Sequence, residues 1–234
     1  VQNWTDILQS GIISPYVMDP LDLNPLRPLV GDYIDLDSLN DRKAPRLFIS
    51  TTNANSGQLR VFRNHDITTD VLVATNVNPL FARGVEIDDD THWQGSITGA
   101  PARFPLFDKD IPSDIVVVLP TPSEIAKIDT SAKGLRDRWE EISAQAALSR
   151  ELRAIDFVAR LVQSGDLDAE ATPSLRVHMI RSTEQSDYKD RYFMSTSMIE
   201  AQVESGQRHA RDWFLTNSEL IGAETSLSQE EMFL

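Results

Sequence analysis

Asp114-Ile115-Val116-Val117-Val118-Leu119, followed by a helical pattern from Leu135 to Val162, decides the fold class. A continuous apolar run of this length predicts a central strand covered on both faces. Residues 121–134 read as a long polar connection. Beyond it, Leu135, Trp139, Ile142 and Ala146 keep the 3–4 residue spacing of one helix face, and Leu148, Leu152, Ile155, Ala159 and Val162 resume it. The short step from Ala146 to Leu148 rotates the stripe, so the helix is broadly buried or bends there. Gly165 follows as a stop. Leu175–Arg181 alternates polar and apolar residues and predicts another strand. A buried strand followed by a long helix means α/β with a layered core.

Working outward, a last helix is expected over 198–215 on Ile199, Val203, Gly206, Ala210, Trp213 and Phe214, with Ser197 and Glu200 as its capping box. The acidic stretch 222–234 is expected to be a mobile tail. Upstream, residues 46–51 and 58–63 read as two strands joined by the turn-forming Asn53-Ala54-Asn55-Ser56-Gly57. A short buried helix is expected over Asp70–Asn76, capped by Thr68 or Thr69. Val85–Ile87 is a short strand. Residues 1–45 carry Pro15, Pro20, Pro25 and Pro28, which favour an irregular, well-packed run ending in a short helix near Tyr33–Leu39. No linker divides residues 1–221.

The chain has 234 residues, 41% hydrophobic and 25% charged, which is long and apolar enough for a real core. Its net charge of −14 repels a phosphate backbone, so nucleic acid is not expected as a partner. It repels anionic headgroups too, unless a local patch overrides the sign. The absence of cysteine excludes disulfides, a thiol nucleophile and Cys-type metal sites. No apolar run approaches the ~18 residues of a membrane span. Val1-Gln2-Asn3-Trp4 has no basic n-region and no initiator Met, so neither a signal peptide nor an obvious gene start is expected there, and Val1 is a candidate cut edge of something longer.

The histidines at 65, 92, 178 and 209 lack any H-E-x-x-H or H-x-H spacing, and no metal site is expected. His178, among apolar neighbours on a strand, reads as a satisfied structural residue. Neither glycine-rich phosphate motif occurs, so no cofactor is expected. G-x-S-x-G is also missing: Gly95-Ser96-Ile97-Thr98-Gly99 places Ile97 where a nucleophile would stand.

The order of several segments carries more than any single motif. These are Asp22–Arg27, Leu47–Asn53, Ser56–His65, Asn78-Pro79-Leu80-Phe81, Val85–Asp88, His92-Trp93-Gln94-Gly95-Ser96 and Pro101–Leu106, then Leu152–Val158 and the strand around His178. In this order they resemble bacterial members of the patatin-like phospholipase family, over roughly Pro15 to Trp213. The resemblance implies a three-layer α/β/α fold and lipid acyl hydrolysis by a Ser–Asp dyad. The family's serine elbow and glycine-rich oxyanion loop lie in its N-terminal half. Its aspartate opens an Asp-Gly-Gly or Asp-Gly-Ala motif in the second half, and this chain resembles only that second half. Residues 1–221 are therefore expected to be an incomplete, C-terminal portion of the domain.

The dyad aspartate aligns with Gln94. A dyad carboxylate must take the serine proton directly, and a carboxamide has no useful basicity for this. Losses of this kind commonly cost ~10⁴-fold in rate, by analogy with triad enzymes. Asp88, Asp89 and Asp90 lie close in sequence and could supply a carboxylate, although a solvated turn is the preferred reading. Pro79, Phe81, Trp93 and Gly95 are the substrate-side candidates. For Pro79 and Phe81 a helix end with two core anchors is an equal alternative, and Trp93 either borders an apolar pocket or simply packs.

The resemblance implies a lipid or acyl-ester substrate, and a cytoplasmic location or one peripheral at membranes. It also implies a missing N-terminal half, or a partner that completes the sheet, with strands 46–51 or 114–119 left with open edges or bare apolar faces. The chain alone is expected to be inactive. The alternative is a pseudoenzyme or interaction module on the same fold.

Overall fold

A computed structural model describes residues 13–99, 106, 113–120, 124–168, 172, 175–182 and 195–227. The chain is mixed α/β. It divides into two compact units, Val1–Pro105 with Asp129–Leu148, and Leu106–Ile128 with Ser149–Leu234. The region 1–221, which shows no linker in its composition, thus holds two units. One boundary falls inside a continuous helix, where no Gly- or Pro-rich stretch is needed.

The first unit is built on an antiparallel sheet of β1 (Phe48–Asn53), β2 (Gln58–Arg63), β3 (Val85–Ile87) and β4 (Asp90–Gln94), in the order β2-β1-β4-β3. β1 starts two residues later than expected, because the Leu47 N–H is taken by the Asn64 side chain at 2.8 Å rather than by the ladder. Asn53 Oδ1 accepts from the Asn55 and Ser56 N–H groups, both at 2.9 Å, and Gly57 takes φ +69° to close the turn into β2. β1 is paired on both sides, so the open edge expected there is absent.

β3 and β4 form a two-residue hairpin with Ile87 opposite Asp90. Its central residues, Asp88 and Asp89, both have positive φ, 53° and 66°. That matches the twist of the flanking strands, and aspartate tolerates it better than most residues.

The helix α1 (Pro15–Met18) precedes α2 (Leu26–Tyr33). The helix expected near Tyr33–Leu39 ends at Tyr33 instead, and Asp37–Asn40 forms only a 3₁₀ turn. Pro25 and Pro28 did not prevent α2, since they occupy the cap and first turn, where no N–H is needed. Leu21 and Leu23 remain exposed, so the segment before α2 is less well packed than expected.

α3 (Thr69–Ala74) has Thr68 as its N-cap, with the hydroxyl accepting from the Val71 N–H. It buries Val71, Val73 and Ala74 in two clusters. One joins Val73, Ala74, Val77 and Val85, with Leu26 and Val30 of α2 and Trp93 against it. The other joins Phe62, Ile67 and Val71, with Ile49 and Leu72 alongside. Fully burying each such aliphatic side chain contributes about 1.5–3 kcal/mol.

The second unit centres on a parallel pair, β5 (Asp114–Leu119) and β6 (Arg176–Arg181), with Asp114 opposite Arg176. The connection between them contains α4 (Ala132–Ser164), whose end is marked by Gly165 at φ +83°. β5 was expected to be covered on both faces. Ile115 and Val117 are buried, but Val116 and Val118 are 46% and 64% exposed. Among the described residues β5 pairs with β6 alone, so an all-apolar run here hides a one-sided strand. Along α4, Leu148 and Leu152 are buried whereas Leu135, Trp139 and Ile142 are exposed, so the stripe is only partly covered.

α5 (Thr196–Asn217) is capped by Ser195, which accepts from the Met198 N–H. Ser197, the expected cap, bonds the Ser195 hydroxyl instead. The tail expected to be mobile from Gly222 is docked as far as Leu227. Ser226 N–H donates to the Val177 carbonyl at 3.2 Å, and Leu227 is buried. Residues 228–234 lie outside the described residues. Among the described residues, no helix is long and apolar enough to cross a membrane.

Candidate functional site

β4 reads Asp90-Thr91-His92-Trp93-Gln94, a strand made almost entirely of polar side chains. It forms because β1 offers a matching polar edge: Ser50, Thr51, Thr52 and Asn53 are all buried. Most buried polar groups are hydrogen-bonded, and Thr51, Thr52 and Asn53 each are. Thr51 Oγ1 lies 2.7 Å from His92 Nδ1. Thr52 Oγ1 donates to the Gln94 carbonyl at 2.9 Å and also meets Thr98 Oγ1 at 2.9 Å. Asn53 Nδ2 donates to the Asp90 carboxylate at 2.7 Å.

Gln94 ends β4. Its N–H donates to the Val77 carbonyl at 2.8 Å, and the chain then turns through a 3₁₀ segment, Gly95–Ile97. That one bond brings together the two stretches singled out in the sequence. Directly after Val77, Asn78 closes a tight turn, its carbonyl accepting from the Phe81 N–H and its side chain from the Leu80 N–H. Asn78 Nδ2 donates to Glu140 at 3.1 Å. Pro79 and Phe81 are half-buried, Gly95 is buried, and Trp93 packs against the Val73–Val85 cluster. Trp93 and Thr91 stand over Gly84, whose missing side chain leaves room for them. Gln94, Gly95, Trp93, Pro79 and Phe81 thus share one end of the sheet. The stretch Pro101–Pro105 lies outside the described residues.

The acidic trio does not reach this end. Asp88 and Asp89 form the hairpin turn, and Asp88 pairs with Arg60. Asp90 is four residues from Gln94 along an extended strand, roughly 13 Å at ~3.3 Å per residue. The solvated-turn reading of the trio fits Asp88 and Asp89, whereas Asp90 opens β4 and its carboxylate accepts from Asn53. What remains at Gln94 can hold a hydroxyl by hydrogen bonding but cannot accept its proton.

Sequence reasoning missed His92. Its side chain is 0% exposed. It makes a T-shaped contact with the Phe62 ring at 6.0 Å, and its Nε2 is buried without a partner among the described residues. Burial, foremost, holds its pKa below the ordinary histidine value; Arg60 adds to this, and Asp90, Asp88 and Glu86 act against it. The available signal was the polar run Ser50–Asn53 within a strand, which requires polar partners on the neighbouring strand.

The second unit contains another buried histidine with both nitrogens bonded. His178 Nε2 lies 3.0 Å from Asp114 and Nδ1 lies 3.2 Å from Ser226 Oγ. The order of acid, base and hydroxyl resembles a hydrolytic relay, but the surroundings favour a clamp. Arg176 takes both Asp114 oxygens, at 2.9 and 2.7 Å, and Gly222 N–H donates to the same carboxylate. Trp213 lies edge-on to the His178 ring at 5.8 Å. Arg176, foremost, holds the Asp114 carboxyl well below the usual carboxylate range. The expected structural role of His178 is met, and the cluster pins Gly222–Leu227 to β6.

A cavity of about 320 Å³ in this unit has walls that include Leu152, Ile155, Leu175 and Leu227, with the Asp156–Arg160 ion pair at 3.0 Å on its lining. Among the described residues, no group of three or more potential metal ligands converges. Neither the scan of protein-family models nor the search of curated proteins finds a match to this chain.

Proposed function

We propose that this chain is the aspartate-side portion of a patatin-like α/β/α lipid acyl hydrolase, with Gln94 where the dyad acid belongs. The observation that carries this reading is the position of Gln94. It stands at the C-terminal end of a strand, immediately before a buried glycine turn, beside the Asn78–Phe81 turn. A strand end is where a reactive group meets a substrate rather than the core.

In the proposed reaction a serine from polypeptide outside these residues attacks an acyl ester. An aspartate at position 94 would take the serine proton and pass it to the departing alcohol as the ester C–O bond breaks, and water would then cleave the acyl-serine to the free acid and the serine hydroxyl. Gln94 can orient the hydroxyl but leaves its proton in place. Pro79, Phe81 and Trp93 would supply apolar surface for a lipid acyl chain, and the exposed Val116 and Val118 leave a face for the missing part of the domain or a partner. The site of action would be the cytoplasm or a membrane surface.

The test is hydrolysis of a p-nitrophenyl acyl ester. The 234-residue chain should release no more product than a heat-killed control. Joined to a serine-elbow half, the Gln94→Asp form should hydrolyse the ester ~10³–10⁴ times faster than the Gln94 form, the usual scale for losing such a group. Turnover by the chain alone, abolished by a fluorophosphonate, would overturn the proposal.

A non-catalytic interaction module on the same fold is the second reading. It is favoured by the carboxamide at 94 and by the engagement of Asp88 and Asp90 elsewhere. If the Gln94 form of the restored enzyme works as fast as the aspartate form, that reading falls.

A further inference from the structure

His92 sits in the middle of β4, and among the described residues one ring nitrogen has a partner and the other has none. Suppose the Thr51 hydroxyl donates to Nδ1; the ring proton is then on Nε2 and meets no acceptor. Suppose instead Nδ1–H donates to Thr51; the Nε2 lone pair is then unmet. Both neutral tautomers therefore leave a buried nitrogen unsatisfied, and adding a proton makes the site worse. The imidazolium would carry an N–H on each nitrogen, one of them without a partner among the described residues, and a full charge in a buried site.

The charged groups around the ring do not provide for that charge. β1 (Phe48–Asn53) contributes no charged residue. β2 contributes Arg60, which repels a cation. β3 contributes Glu86, bonded to Thr91, and the hairpin turn contributes Asp88, paired with Arg60. β4 itself contributes Asp90, which accepts from Asn53. α3 buries Val71, Val73 and Ala74, and its one carboxylate, Asp70, pairs with Arg27. Burial and Arg60 outweigh the three carboxylates, so the folded sheet disfavours a proton on the ring relative to a solvated histidine.

We propose that His92 is an acid-sensitive catch on the four-stranded sheet: when the ring takes up a proton, β4 is released from β1, and with it the strand end that carries Gln94. The pairing at stake is short. β4 is held to β1 by three residue pairs, Thr51–Gln94, Thr52–Trp93 and Asn53–His92. His92 belongs to one pair and binds a member of another. The trigger range is set by the open state, where a solvated histidine protonates near pH ~6.5. Above that pH neither state gains a proton. Below it the open state takes up a proton more readily than the closed state, so the open state gains by at most tenfold per pH unit until the closed ring also titrates. Mild acid therefore loosens the candidate site, a response distinct from the low-pH titration of ordinary carboxylates.

The experiment is amide hydrogen exchange on the intact chain at pH 7.5 and 5.5, corrected for intrinsic rates, with a parallel NMR titration of the histidine rings. The Ala54 amide, which bonds to Thr91 across β1 and β4, should lose protection at pH 5.5, by no more than about tenfold. The Arg176 and Ser182 amides, on the parallel pair whose His178 has both nitrogens bonded, should keep theirs. His92→Gln keeps a donor and an acceptor for Thr51 but cannot titrate, and should remove the difference. An equal loss of protection in His92→Gln would overturn the proposal. So would a wild-type His92 ring that titrates together with the exposed His65 while the β1–β4 amides stay protected. If His92→Gln does not fold, the wild-type ring titration decides.

Discussion

The Thr52 hydroxyl donates to the Gln94 carbonyl oxygen at 2.9 Å, and having spent its one proton there, it accepts from Thr98. A single buried side chain thus ties β1 to the residue that ends β4 and to the turn beyond it. Thr52→Val keeps the shape and removes both bonds. It should cost about 1–3 kcal/mol, because the Gln94 carbonyl and the Thr98 hydroxyl lose a partner. Urea denaturation measures this, and Thr52→Ser, which keeps the hydroxyl, should recover most of the loss.

Gly84 is the second tight point. A Cβ there collides with the Thr91 methyl and comes within 3.1 Å of Trp93 Nε1. Thr91 is β-branched and its hydroxyl is held by Glu86 at 2.7 Å, so it has little freedom to move. Gly84→Ala should destabilise the chain by about 1–3 kcal/mol through overpacking. A shift in the Trp93 fluorescence maximum should accompany the loss.

The turn between β3 and β4 makes the opposite prediction. Asp89 holds φ 66°, a conformation that costs an L-residue roughly 1–2 kcal/mol and glycine nothing. Asp89→Gly should stabilise the chain by about 0.5–1 kcal/mol, the gain being reduced by the freedom glycine loses on folding. Asp89→Val should destabilise it. Thermal melts of the pair should move in opposite directions.

Asp114 governs the acid limit of the second unit. Its carboxyl is held below the usual carboxylate range by Arg176 first, then by the Gly222 N–H and His178. The unfolded chain therefore binds a proton before the folded one as pH falls. The stabilisation is fully present above about pH 4 and is lost below it, as pH drops toward the folded-state value. Asp114→Asn should remove that acid dependence and free the segment Gly222–Leu227. Limited proteolysis after Glu224 should then become faster at neutral pH.

Much of the fold was open to reading before any coordinates. The β1–β2 hairpin follows from Asn53–Gly57, a turn whose side chain–backbone bonds could be written from residue types alone. The Thr68 cap and the Gly165 stop follow in the same way. Other features were hidden for identifiable reasons. β4 has no apolar alternation because its partners are the polar side chains of β1. β5 is apolar at every position between Ile115 and Leu119, so its period of two could not be seen. α2 was masked by prolines that happen to fall in its first turn. For the site, sequence order picked out Gln94 and the Asn78–Phe81 turn, but the Gln94–Val77 bond that unites them runs through the backbone, which residue identity does not reveal. His92 was passed over because nothing local distinguishes a bonded nitrogen from a stranded one.

The parallel register of β5 and β6 carries a kinetic consequence. Asp114 and Arg176 are 62 positions apart, whereas Asn53 and Gln58 meet across one short turn. Closing the larger loop sacrifices more chain entropy before any contact returns it. The meander of β1 and β2 should therefore acquire protected amides early during refolding from denaturant, with the Asp114–Arg176 pairing following later. Pulse-labelled exchange resolves the two steps, and simultaneous protection of both sheets would show that loop closure does not limit the rate.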